Sequence, residues 1–133
     1  IYTKLMRSTN AVTEKMHRHL SAHRLSLSQF GVIEALYHLG PMCQKDLGKK
    51  ILKTSGNITL VIDNLEKRRL VKRAADPEDR RRYTVSLTPE GTRLIEKILP
   101  EHSKNASAVF SVLSPEEQQT LGTLLKKLGL QKM

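Results

Sequence analysis

The 133-residue chain has one cysteine, Cys43, which excludes an internal disulfide framework and a cysteine-based zinc knuckle. Five aromatic residues and no tryptophan are too few for a stacking platform on single-stranded nucleic acid. No apolar run approaches the roughly 20 residues that cross a bilayer, and no secretory signal opens the chain. It begins at Ile1 rather than Met, so an N-terminal stretch is expected to precede it. Acidic residues are also scarce, with 13 Asp+Glu against 23 Lys+Arg and a formal charge of +10. A hydrophobic share of 38% lies above disordered composition. The expectation is a basic, cytoplasmic, single-domain protein whose partner is a polyanion and not a membrane.

The positive charge is concentrated. Between Gln44 and Arg82 there are 12 basic and 6 acidic side chains, and the remaining 94 residues hold 11 and 7. A basic block framed by patterned elements is suited to facing phosphates.

Helical periodicity places Leu5, Val12, Met16 and Leu20 on one face of a helix from Tyr2 to His23. Ser26 and Gln29 form a capping-box pair for a second helix, which carries Phe30, Ile33, Leu36 and Tyr37 and stops at Gly40-Pro41. Met42-Cys43 is a token strand. Lys45 to Ile51 is a brief helix, Leu52 to Ser55 a turn, and Ser55 to Arg69 a helix burying Ile58, Val61, Ile62 and Leu65. The period then changes to two. Leu70 to Arg73 and Tyr83 to Leu87 read as strands of a hairpin with its tip at Asp76 to Arg82. Thr88-Pro89 starts a helix with Leu94, Ile98, His102, Ala106, Val109 and Leu113 on one side, which Pro100 should kink or split. Ser114 to Glu117 caps a last helix carrying Leu121, Leu124, Leu125 and Leu128. The expected fold is mainly α with a small β-hairpin. A winged helix-turn-helix core, about residues 28–91, is flanked by dimerisation helices, about residues 1–24 and 92–133, in a single domain.

The helix from Ser55 has no basic side chain between Thr54 and Glu66. Its first turn offers small hydrogen-bonding groups at a positive dipole end, suited to entering a major groove. Ser55, Asn57 and Thr59 are expected to reach base edges, Gly56 to admit close backbone approach, and Leu60 to pack on a thymine methyl. Lys53 and Thr54 ahead of the helix, and Arg73 in the hairpin, complete that candidate surface. Arg80, Arg81 and Arg82 at the hairpin tip fit a minor groove, with Asp79 orienting a guanidinium. Lys67, Arg68 and Arg69 complement the helix C-terminal dipole.

The segment LVKRAADPEDRRRYTVSLTPEG, Leu70 to Gly91, resembles the wing signature of the MarR (multiple-antibiotic-resistance regulator) family at Asp79, Arg81, Val85, Leu87, Thr88 and Gly91. TSGNITLVIDNLEKRRLV, Thr54 to Val71, resembles that family's recognition helix. One departure is Arg69, where the family commonly has Gly. The resemblance implies a homodimeric regulator of transcription, a repressor, whose two lobes bind a pseudo-palindromic double-stranded DNA operator. Arg81 would probe the minor groove while Asp79 holds it. It further implies relief by a signal, for some members a small aromatic or lipophilic effector and for others oxidation or zinc. The alternative is a non-sequence-specific architectural or RNA-binding winged helix, against which the uncharged start of the reader helix speaks.

The signal itself is less legible. Cys43 is expected to be an inert buried thiol without a second cysteine to resolve a sulfenate. Of the five histidines, His19 and His23 at i, i+4 make the best pair, and His38 and His102 are candidates for a ligand cleft. No metal site or cofactor is assigned. No catalytic arrangement of nucleophile, paired carboxylates or phosphate loop is recognisable, so an enzyme is not expected.

Overall fold

The computed structural model describes residues 1–51 and 55–131, with the backbone alone at residues 55 and 56. Along the chain run α1 (Tyr2–Ser21), α2 (Leu27–Leu39), β1 (Met42–Cys43), α3 (Gln44–Lys50) and α4 (Ser55–Lys67). They are followed by β2 (Val71–Ala75), β3 (Tyr83–Leu87), α5 (Pro89–Phe110) and α6 (Pro115–Gly129). The strands form one antiparallel sheet in the order β1-β3-β2, with Met42 opposite Val85 and Arg73 opposite Val85 on the other side. The expected winged-helix arrangement is therefore present, with the token strand at Met42-Cys43 completing the sheet.

Local chemistry accounts for the helix starts. The Ser26 hydroxyl accepts the Gln29 N–H at 3.0 Å, and the Gln29 side chain accepts the Ser26 N–H at 2.9 Å. Ser114 and Glu117 repeat the exchange at α6, and Thr88 caps α5 ahead of Pro89. Gly40, at φ +81°, ends α2 in a conformation that a side chain would strain.

The core lies where α2, α4, the sheet and the first half of α5 meet. Phe30, Val32, Ile33 and Leu36 from α2 pack with Ile58, Ile62 and Leu65 from α4, and with Val71, Val85, Ile95 and Ile98. Leu20 at the end of α1 and Leu47 of α3 are also fully buried. Among the described residues no polar or charged residue is buried, so the core is purely apolar.

Three details depart from the sequence expectation. The core face of α5 is Gly91, Ile95 and Ile98, with Leu94 only half-buried. Gly91 sets that rotation, because the helix starts against the Leu70 carbonyl. Pro100 does not split α5, which runs unbroken from Pro89 to Phe110 with Pro100 on its exposed side. Helix α4 also ends at Lys67, two residues early.

Its end is a left-handed turn at Arg69, φ +61°, with the Leu70 N–H bonded to the Leu65 carbonyl at 3.0 Å. The residue keeps the backbone conformation that glycine favours and carries the Cβ strain. Arg69→Gly is therefore expected to stabilise the protein by about 1 kcal/mol. A raised urea midpoint at fixed protein concentration is the check, and an unchanged or lowered midpoint would refute the strain argument.

At the chain ends the apolar faces stay open. No residue of α6 is buried, Leu124 is 58% exposed and Val112 86%. Tyr2 and Met6 of α1, Phe110 of α5 and Leu125 and Leu128 of α6 are also exposed.

Candidate nucleic-acid interface

Helix α4 is oriented by its own stripe. Ile58, Ile62 and Leu65 point into the core, which turns Asn57, Thr59 and Leu60 outward, Leu60 being 60% exposed. Ser55 opens α4 with Gly56 behind it. The expected contacts at Lys53 and Thr54 lie outside the described residues. Thr59 has a further anchor that the sequence did not reveal, because the Gln44 amide at the start of α3 donates to its hydroxyl oxygen at 2.8 Å.

The wing tip is built by carboxylates acting on the backbone. Asp76 accepts the Glu78 N–H at 2.9 Å, and Asp79 Oδ1 accepts the Arg81 N–H at 2.9 Å. The Asp79 carbonyl accepts the Arg82 N–H at 3.0 Å, and the Arg82 carbonyl accepts the Asp76 N–H at 2.9 Å. Asp79 thus shapes the turn and does not hold a guanidinium as the sequence suggested. The reason is distance along the chain: a carboxylate two residues before an amide closes a local ring more readily than it reaches a long side chain.

Arg80, Arg81 and Arg82 are all exposed. Among the described residues no carboxylate lies within ion-pair distance of any of the three. Arg82 rests its guanidinium on the Cys43 sulfur at 3.6 Å, and Cys43 is half-buried rather than enclosed. Arg81, Arg82, Tyr83, Gln44, Lys45 and Ile58 line one cleft of about 290 Å³. The wing base and the start of α3 therefore border one cleft, and α4 adjoins it through the core residue Ile58 and the Gln44–Thr59 bond.

Arg73 is turned the other way. Its side chain is 16% exposed and its guanidinium meets Asp63, Glu66, Gln44 and the Thr59 carbonyl. Its expected place on the outer surface is taken by this internal network, because Asp63 and Glu66 fall one turn apart on the flank of α4 facing β2. Arg68 is also committed, donating to the Arg24 and His23 carbonyls at 2.6 and 3.3 Å. It ties α4 to the α1–α2 connection instead of capping its own helix.

A second cluster lies where α1, α2 and α5 meet. His23 Nε2 is 3.1 Å from Glu101 Oε2, and His19 Nδ1 is 3.8 Å from the same oxygen. The His102 ring stands 4.4 Å from Phe30 and 5.9 Å from His19, centroid to centroid. Among the described residues no group of three or more His, Cys, Asp or Glu is placed to hold a metal ion. His38 and His102 line a cleft of about 440 Å³ with Glu34, Tyr37 and Leu99. A cleft of about 700 Å³ between α1 and α5 is lined by Arg18, His19, His23, Lys97 and Lys104, with Glu101 as its carboxylate.

Burial pushes the His102 imidazole below its ordinary value, with His19 adding to the shift and Glu34 opposing it. The hydrogen bond from His23 holds the Glu101 carboxyl low, against a smaller desolvation effect. Both shifts have the same sign for stability. Each contributes fully above the unfolded value, about 6.5 for His and 4.3 for Glu, and is lost as pH falls through the folded value. Urea unfolding is therefore expected earlier at about pH 5.5 than at about pH 7.5, with His102→Gln narrowing the gap. An undiminished gap in that variant would remove His102 as a cause.

The MarR family model matches residues 25–83, from the α1–α2 connection to the start of β3. The HTH-type transcriptional regulator MhqR of Bacillus subtilis is 37% identical over 130 residues, covering 98% of this chain and 90% of that protein. The chain belongs to the MarR family. Like other MarR proteins it is a DNA-binding regulator of transcription with a winged-helix fold. BpsR of Bordetella bronchiseptica, whose DNA binding is regulated by 6-hydroxynicotinic acid, superposes with a TM-score of 0.92 at 27% identity, covering 99% of this chain and 94% of that one. The MarR family regulator Sco3205 of Streptomyces coelicolor, solved in complex with DNA, shares the fold at a TM-score of 0.91 and 23% identity, covering 98% and 86%. No helix among the described residues is long and apolar enough to cross a membrane.

Proposed function

We propose that this MarR protein acts as a homodimer that binds a pseudo-palindromic operator, represses transcription, and is released by a small effector. The observation carrying the reading is Gln44, which lines the wing cleft beside Arg81 and Arg82 and donates to Thr59 at the outward start of α4. One lobe presents a minor-groove cation beside a neutral, hydrogen-bonding reader. Ser55, Gly56, Asn57, Thr59 and Leu60 are the reading residues, preceded by Lys53 and Thr54, with Arg80, Arg81 and Arg82 as the wing contacts. Asp79 serves by fixing the tip's backbone.

The open apolar faces of α1, α6 and the end of α5 support pairing of two copies through both chain ends. Two readers then span successive major grooves about 34 Å apart. An acidic aromatic effector suits the α1–α5 cleft, where Arg18, Lys97 and Lys104 outnumber Glu101. Displacing either lobe by a small rotation weakens the pair without unfolding it.

Sedimentation and duplex titration test this together. A dimer that prefers one sequence over scrambled DNA, with a steep negative salt dependence, is expected. Equal affinity for all duplexes would favour an architectural role, and a monomer would remove the paired-reader geometry. Aromatic carboxylates are expected to raise the melting temperature and release the operator.

A further inference from the structure

We infer that Arg73 is a positioning residue that does not itself touch nucleic acid and fixes the reading start of α4 by holding Gln44 on Thr59. The inference rests on the proposed reading of operator DNA by α4.

The guanidinium has five N–H donors in a rigid fork, and here four of its bonds go to acceptors of the protein itself. Nε donates to Gln44 Oε1 at 3.3 Å, Nη2 donates to the Thr59 carbonyl at 3.3 Å, and Nη1 faces Asp63 and Glu66. The Arg73 backbone N–H adds a bond to Glu66 Oε2 at 3.1 Å. One residue of β2 thereby joins α3, α4 and the wing. Two carboxylates against one cation leave no net positive charge for a phosphate to seek.

The orientation of Gln44 follows. Only its amide oxygen can accept from Arg73, which directs Nε2 to the Thr59 hydroxyl at 2.8 Å. Thr59 is consequently held at both its carbonyl and its hydroxyl by one network, while remaining exposed. A side chain fixed in this way reads bases with less freedom to adapt to wrong ones.

The experiment uses the full chain and a duplex enriched from a random pool by the wild-type protein, with a scrambled duplex as control. Arg73→Gln and Gln44→Leu are each expected to lower the ratio of specific to scrambled affinity about tenfold, the scale of one lost base reading. Affinity for scrambled DNA and its salt slope should stay unchanged, and the double variant should lose little more than either single one. A direct phosphate contact would behave differently, weakening every duplex and flattening the slope by about 1 per site, and that result would overturn the inference. So would a specificity ratio retained in both single variants. If Arg73→Gln fails to fold, Gln44→Leu decides alone, because it leaves the Arg73–Asp63–Glu66 contacts intact. Failure of the wild-type protein to enrich any duplex would instead strike at the DNA reading itself.

Discussion

Gly91→Ala is expected to destabilise the protein by roughly 3 kcal/mol or more, a large fraction of a small domain's total. A Cβ there would stand 2.1 Å from the Leu70 carbonyl oxygen and 3.1 Å from Leu87 Cδ2. The carbonyl cannot step aside cheaply, since it accepts the Thr88 N–H at 3.1 Å while the Thr88 hydroxyl bonds the Arg69 carbonyl at 2.6 Å. Relief would require prising α5 off β2 and β3, with Ile95 and Ile98 leaving the core behind it. A urea or thermal melt measures the effect. A loss below about 1 kcal/mol would show that this junction relaxes far more easily than its hydrogen bonds indicate.

Arg81→Ala is expected to leave folding intact and weaken duplex binding by about 100-fold, since the proposed dimer would lose two groove contacts of about 1–3 kcal/mol each. The side chain is exposed and makes no ion pair among the described residues, so its removal frees no buried partner. The Asp79 bond to its backbone N–H survives the substitution, which keeps the tip in shape. The salt slope should fall by about 2 per dimer. Undiminished affinity would take the wing out of the DNA contact.

Much of this molecule is legible in its sequence because punctuation and period agree. The Ser26–Gln29 box, Gly40-Pro41 and Thr88-Pro89 each mark a boundary within a residue or two of the observed one. The shift from a 3.6-residue to a two-residue period after Leu70 marks the hairpin. Arg69 as a left-handed residue follows from the place of a missing glycine.

The sequence was silent wherever a side chain has several possible partners. Arg73 and Asp63 are ten residues apart, and pattern alone cannot tell a cation that faces phosphate from one that faces its own helix. Asp79 could serve a guanidinium or a backbone amide, and the nearer donor prevailed. Gln44 carries no signal at all until α3 and α4 are set side by side. On α5, the periodicity admits Leu94 or Ile95 as the inward line, and only the tight fit at Gly91 decides between them.

The junction of Leu70, Thr88 and Gly91 has a mechanical meaning. It leaves no slack between the long helix reaching back to the proposed seam and the hairpin that carries the arginines, so the two turn as one piece, like the handle and jaw of a pair of pliers. In the proposed dimer, spreading the handles would re-aim the jaws, and a signal received at the seam would reach the wing as a change of angle.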